Sequence, residues 1–430
     1  MSTITSLEQE SPIRSFWGKF SLLSVCVLAV CVSLGAALVS ISKALVLIAV
    51  LGNLVIQLRD GTLHWPRHQP WTIWSICVAL SWMLMSFLWT EATLPEGITA
   101  MLRHARLLWL LAVFYLLKSK DEAIGVLKFL VIGQLFVVVC SYLMWMGVPI
   151  PWAKSLYPPE LGILFTSTLE QPIMSTLMLS ILWFYREKFQ NKWVKGIILF
   201  AMLITLVNVL FIMTGRTGYI VLLLFIFMAT YFILPPRLRI FSIVLPIILG
   251  LTLIMLPTRF QSRVNNVISD IKNYQPNKTE YGQGTRVDYW YNSLLSFSEK
   301  PIMGHGVGSW KENYKHQGGI EKDPPSNPHQ QYLLWAVESG IVGFFMILGF
   351  LISLIKDAHN LPKNERQALI TISAIAAMTG LFNCPFFGVG LGEFFLVIFA
   401  SLLAQNIRAY SKATEENASF NSTKHCHPAK

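Results

Sequence analysis

The sequence predicts an all-α, polytopic membrane protein of about twelve transmembrane helices with one large external loop that contains short helices. Three observations lead there. Apolar runs of about 17–25 residues recur along nearly the whole chain, each long enough to cross a hydrocarbon core. Of the 430 residues, 54% are hydrophobic and only 13% are charged, about half the charged share of a soluble domain. One polar stretch, from Pro257 to Pro328, interrupts the apolar runs at length. A transmembrane barrel would show short segments of alternating polarity instead.

Taken in order, spans are expected at about 20–40, 42–58, 71–90, 99–117, 123–146, 171–185, 194–213, 218–234, 240–256, 330–355, 367–384 and 388–407. Arg14 and Lys19 precede the first, which is too long for a secretory apolar core and reads as an uncleaved anchor. Only Ser40-Ile41-Ser42-Lys43 separates it from the second. The chain then divides into a nine-span bundle (1–256), a loop (257–329), three further spans (330–407) and a cytoplasmic tail (408–430), all one integrated domain. The tail is polar and is expected to be disordered.

The net charge of +11 suits nucleic acid at first sight, but its distribution argues otherwise. Arg59, Arg67, Lys118, Lys120, Arg186, Lys188, Lys192, Lys195, Arg237, Arg239, Lys356, Lys363 and Arg366 fall in connectors on one side of the spans. The opposite connectors hold Lys43, Glu91, Glu96 and Lys154. The positive-inside rule then puts both termini in the cytoplasm and the 257–328 loop outside, with no call for nucleic acid. Trp65, Trp71, Trp89, Trp152, Tyr157 and Trp193 at span ends read as an interfacial belt. Five of the six cysteines lie in or beside apolar runs and Cys426 in the tail, so neither a disulfide framework nor a metal site is indicated.

Within the loop, Arg286, Tyr289, Trp290, Ser293, Leu294 and Phe297 recur at helical spacing, predicting an amphipathic helix over 284–298 near the membrane surface. Pro301 to Gly308 reads as a glycine turn followed by Trp310 as an anchor, and 311–325 as a mobile lid.

Chemistry centres on His329. Asn327 or Ser326 suits an N-cap and Pro328 a first helical position, placing His329 in the first turn of the tenth span. There the helix dipole disfavours imidazolium, leaving a neutral ring able to accept a proton. Gly340 lies about three turns below, and Gly343 follows, forming a groove that another helix can approach. The plainer reading is an interfacial histidine without a catalytic task. Arg216, in the short turn Thr214 to Gly218, opposes a helix dipole and makes sense beside an anion, though a snorkelling arginine is the alternative. Arg286 can grip two phosphate oxygens at once, or can simply be a solvated cation. Arg103 and Arg106, at the external start of the fourth span, are candidates for binding a polyanion, with interfacial snorkelling as the rival. Gln330 stands beside His329, and Glu170 and Gln171 are weaker candidates. No nucleotide-binding loop is present, so a transfer reaction needs an activated substrate, and a lipid diphosphate-linked sugar meets that need.

These residues resemble the bacterial O-antigen ligase family, within the wider polymerase/ligase superfamily of integral membrane glycosyltransferases. His329-Gln330 followed by Gly340-Ile341-Val342-Gly343 is similar to the family's His motif. Arg216 resembles the family's arginine with Leu four positions on, although Ile220 stands there. Arg286 in Gly284 to Trp290, with Pro301, Gly304, Gly306, Gly308 and Trp310 after it, resembles the loop arginine and its following turn. The resemblance implies transfer of polysaccharide from undecaprenyl diphosphate to a sugar hydroxyl of lipid A-core, on the periplasmic face of the inner membrane. It implies no metal and no cofactor, inversion at the anomeric carbon, Arg216 and Arg286 on the diphosphate and His329 as base. An O-antigen polymerase or a protein O-oligosaccharyltransferase would use the same donor. The polymerase pattern of Arg, ten residues, then Gly is absent after Arg259, Arg263 and Arg286. A transporter would need charges deep in several spans, and most have none.

Overall fold

A computed structural model describes residues 12–61, 70–153, 157–213, 215–255 and 285–406, with residues 261, 265, 268–269, 272 and 274–275 between them. Arg67, Lys154, Thr214, Arg259, Arg263, Gly284 and the tail lie outside the described residues. Every regular element among the described residues is helical. Nine helices are long and apolar enough to cross a membrane, which makes this a multi-pass membrane protein.

The elements are α1 (Pro12–Cys31), α2 (Ala36–Arg59), α3 (Trp71–Met85), α4 (Leu94–His104), α5 (Leu108–Leu116), α6 (Lys120–Trp145), α7 (Glu170–Tyr185) and α8 (Lys192–Val207). After them come α9 (Arg216–Ile233), α10 (Ile240–Met255), α11 (Thr285–Glu299), α12 (Trp310–His316), α13 (Gln331–Ala358), α14 (Lys363–Gly380) and α15 (Leu391–Leu403). Three of the expected spans match α7, α14 and α15, which fall short of the nine in length or apolarity. All of α15 and most of α7 are buried among other helices, and α15, though apolar, is only 13 residues long. At the other extreme α10 is mostly exposed and rests on α9.

Local chemistry sets the boundaries. Ser119 caps α6 by accepting the Glu122 N–H at 3.2 Å, and Asn191 caps α8 through Trp193 N at 2.9 Å. The first two helices separate at Gly35, whose φ of +106° only glycine adopts readily. The break therefore falls earlier than the Ser40–Lys43 position expected from composition. Lys120 and Lys188 both reach Glu365, at 3.3 Å for Lys120, drawing together three connectors expected on one side.

The loop helix runs from Thr285 to Glu299, as its spacing predicts. Its hidden face, however, is polar: Asp288, Tyr289, Asn292, Ser293 and Ser296 are buried against α12 and α13. Asp288 accepts the hydroxyls of Tyr314 at 2.5 Å and Tyr274 at 3.1 Å. Two expectations fail here. Trp310 is no anchor, since it is buried with its indole N–H on Ser293 at 2.8 Å. Residues 310–316 form α12 rather than a lid, because Trp310 and Tyr314 stack with Tyr289 in one aromatic cluster.

The glycine turn is also a docking device. Residues 301–306 insert where α13 breaks at Gly340 (φ 63°, ψ −155°). His305 N and Gly306 N donate to the carbonyls of Val337 and Glu338 at 2.9 and 2.8 Å, and Ile341 N donates to Pro301 O at 2.7 Å. A Cβ on Gly340 would sit 2.2 Å from the Ile302 carbonyl oxygen. The Gly340 groove thus receives the loop, not another helix.

Candidate active site

His329 does not lie in the first helical turn. The helix starts at Gln331, and His329 is the one non-glycine residue among those described with positive φ, +52°. Its N–H donates to Asn327 Oδ1 at 2.9 Å, and the Trp290 indole N–H holds the preceding Pro328 carbonyl at 3.2 Å. The ring lies 6.1 Å from the Tyr289 ring and hydrogen-bonds the Asn383 side chain. A strained backbone held by three separate segments is the kind of geometry found at functional sites. The dipole argument for a neutral ring therefore gives way to another. Burial first, and the Arg286 charge second, push the imidazole down to about 4 despite Asn383.

Arg286, the second residue of α11, is still reached by solvent. Neighbouring protein atoms crowd it all the same. Desolvation, then the charge of Arg216, lower its affinity for the proton. Arg286 is thus within electrostatic range of both Arg216 and His329, which brings the three predicted residues into one neighbourhood. Arg216 opens α9, where close packing fixes it: a Cβ on Gly215 would meet the Thr168 carbonyl oxygen at 2.0 Å, and one on Gly218 would meet Pro172 at 2.4 Å. The helix before it ends in a π-turn, Asn208–Ile212, with Asn208 bonded to Ser141 at 3.1 Å.

Arg103 and Arg106 occupy a helix break rather than a helix start, since α4 begins at Leu94 and yields to a 3-10 turn at Ala105–Leu107. Arg103 donates to the Ser326 hydroxyl, three residues before His329, and lies 5.1 Å over the Phe387 ring. Arg106 turns to the Phe387 carbonyl and lies 4.0 Å from Glu393. Glu393, fully buried, also takes Lys43 at 2.8 Å and the Gly390 N–H at 2.7 Å. Gln330 caps α13 through Leu333 N. Glu170 is the first residue of α7, with its Oε1 4.0 Å from where a Cβ on Gly388 would stand.

Sequence reasoning missed Asn383, His104 and Glu338. Asn383 belongs to the connector between α14 and α15, and the Pro385 after it was the available signal. His104 Nε2 meets Glu338 Oε2 at 2.6 Å, and Glu338 Oε1 accepts the Gly308 N–H at 3.0 Å. That carboxylate joins the arginine-bearing break, the glycine turn and the helix that follows His329. An ionisable residue inside an apolar span was its signal. On the loop side, His305 Nδ1 meets Glu91 at 2.7 Å, with Lys300 and Asn313 on the same carboxylate. Burial would raise the Glu91 pKa, but these three partners outweigh it and hold it below the usual carboxylate range.

Residues 200–348 match the profile of the O-antigen ligase family. This segment of the chain is similar to that family. The matched segment contains Arg216, Arg286, His329 and the Gly340 break. A second similarity is to a protein of Haemophilus influenzae described as uncharacterized, 28% identical over 158 residues. That stretch covers 33% of this chain and 39% of the relative.

Proposed function

We propose that this protein is an O-antigen ligase. It transfers polysaccharide from undecaprenyl diphosphate to a sugar hydroxyl of lipid A-core at the periplasmic face of the inner membrane. The observation that carries the reading is that the Arg286 charge acts on both Arg216 and His329. Two guanidinium groups this close repel each other, and a diphosphate between them would relieve the repulsion while accepting paired hydrogen bonds.

The chemistry follows from the charges. The acceptor hydroxyl passes its proton to neutral His329 as its oxygen bonds to the anomeric carbon. The bond from that carbon to the diphosphate oxygen breaks with its electron pair, and Arg216 and Arg286 stabilise the departing anion. Attack from the opposite face inverts the centre, and the imidazolium then releases its proton to water. Donor binding also prepares the base: the bound anion offsets the Arg286 charge and so raises the basicity of His329. Arg103, at the rim through Ser326, extends the anion site, while Arg106 and Gln330 border the substrates and hold the site's shape.

In this reading the nine apolar helices with α7, α14 and α15 make twelve spans. The basic connectors face the cytoplasm and the 257–329 loop faces the periplasm. Deleting the gene in its host and separating lipopolysaccharide on a gel tests the proposal. A ligase loses the ladder and accumulates lipid-linked polymer. Core bearing a single repeat means polymerase instead, and unchanged lipopolysaccharide rejects both. Complementation with Arg216→Ala, Arg286→Ala or His329→Ala is expected to leave protein levels intact and lower transfer by at least 100-fold.

A further inference from the structure

The outer surface of the helix bundle carries a groove of about 630 Å3 between α3 and α13, lined by neither Arg216, Arg286 nor His329. Its walls are Trp74, Val78, Phe345 and Ile352, each more than half exposed. Its floor is made of small residues, and a Cβ on Gly349 would meet nothing within 4 Å. At the end away from His329, the Lys356 ammonium lies 3.3 Å from the centroid of the Trp71 ring. Among the described residues no carboxylate pairs with Lys356. The adjacent Asp357 is already engaged, accepting from Trp71 N at 3.0 Å and Thr72 N at 2.8 Å.

We infer that this groove binds one anionic phospholipid, with an acyl chain over Gly349 and its phosphate at Lys356. Both walls belong to helices long and apolar enough to span a membrane, so hydrocarbon rather than water fills the space between them. From Val342 to Lys356 the helix rises about 21 Å, against about 15 Å for one leaflet's share of the hydrocarbon core. One chain fits along it. The ring face of Trp71 favours a cation at this point, and the phosphate supplies the missing counter-charge. A zwitterionic lipid fills the same groove but gains less at Lys356. The proposal is independent of the transfer reaction.

The test uses the full-length protein in nanodiscs, analysed by native mass spectrometry with phosphatidylglycerol and phosphatidylcholine of identical chains. Wild type is expected to retain the anionic lipid about fivefold better, the contribution of one lysine near a charged surface. Lys356→Gln should abolish that preference while leaving phosphatidylcholine retention unchanged. Gly349→Leu should reduce both by filling the floor. Equal retention of the two lipids by wild type, or a preference that survives Lys356→Gln, overturns the inference. Unaltered protein provides a second measurement. A diazirine on the acyl chain of phosphatidylglycerol should label residues 71–78 and 342–353, and even labelling of all outward-facing spans would reject the site.

Discussion

A histidine with φ of +52° has to be held there, and the holders define what His329 can do. Asn327 takes its N–H, Trp290 its neighbour's carbonyl, and Asn383 its ring. Because asparagine also tolerates this backbone region, His329→Asn should keep the thermal midpoint of wild type while losing transfer. His329→Ala adds backbone strain of about 1 kcal/mol and should melt earlier. The pH dependence has a definite sign. Neutral imidazole is the active form, and burial with the Arg286 charge holds the ring at about 4, so the base is lost only as pH falls through about 4, not 6.5. Histidine NMR titration should place His329 there, and adding a diphosphate-bearing lipid should move it upward. No upward movement on adding that lipid would remove the proposed link between donor binding and basicity. Residue identities here were legible because His and Arg beside apolar runs are conspicuous. The conformation was not: nothing in Pro328-His329-Gln330 encodes a positive φ, and the partner Asn383 lies far along the chain.

At the scale of elements, the break in α13 connects sequence to site. Gly340 and Gly349 sit in the same helix yet should respond oppositely to alanine. At Gly340 a Cβ clashes with the inserted turn and the backbone conformation belongs essentially to glycine, so Gly340→Ala should lower the melting point by several degrees. At Gly349 there is open space, and alanine should stabilise by about 0.5–1 kcal/mol through helix propensity alone. Glu338 offers a finer test of the staple to His104 and Gly308. Glu338→Gln keeps a hydrogen-bonding side chain there and should retain most transfer. Glu338→Ala leaves His104 and Gly308 without their partner and should lower kcat more than it raises KM. Equal behaviour of the two variants would mean that the staple does not position the site. Periodicity revealed the helices and the glycines of the turn, since both are local. It mistook the purpose of Gly340 because the turn that fills the break is about forty residues earlier, and only folding brings them together.

For the molecule as a whole, apolar runs predicted an all-helical chain with many membrane-length helices, nine of which are long and apolar enough to cross a bilayer. The apolar run at 388–407 does form a helix, α15, but one that spans only Leu391–Leu403 and is buried throughout among other helices. The proposed topology rests on the charges, and maleimide labelling of single cysteines can check it. Cysteine at Glu312 should react with a membrane-impermeant reagent in intact spheroplasts, and cysteine at Lys363 only after permeabilisation. Reaction of both in intact cells would invert or break the proposed orientation.

The pairing of Lys43 with Glu393 carries a consequence for biogenesis. Translation delivers the second helix long before the carboxylate that neutralises its lysine, which resides near the far end of the sequence. Until then the nascent protein harbours an unmatched ammonium in the bilayer, a liability that insertion factors must shelter. A ribosomal product stopped after α14 should therefore be cleared by membrane proteases faster than one stopped after α15. Pulse-chase comparison of the two would measure that difference in lifetime.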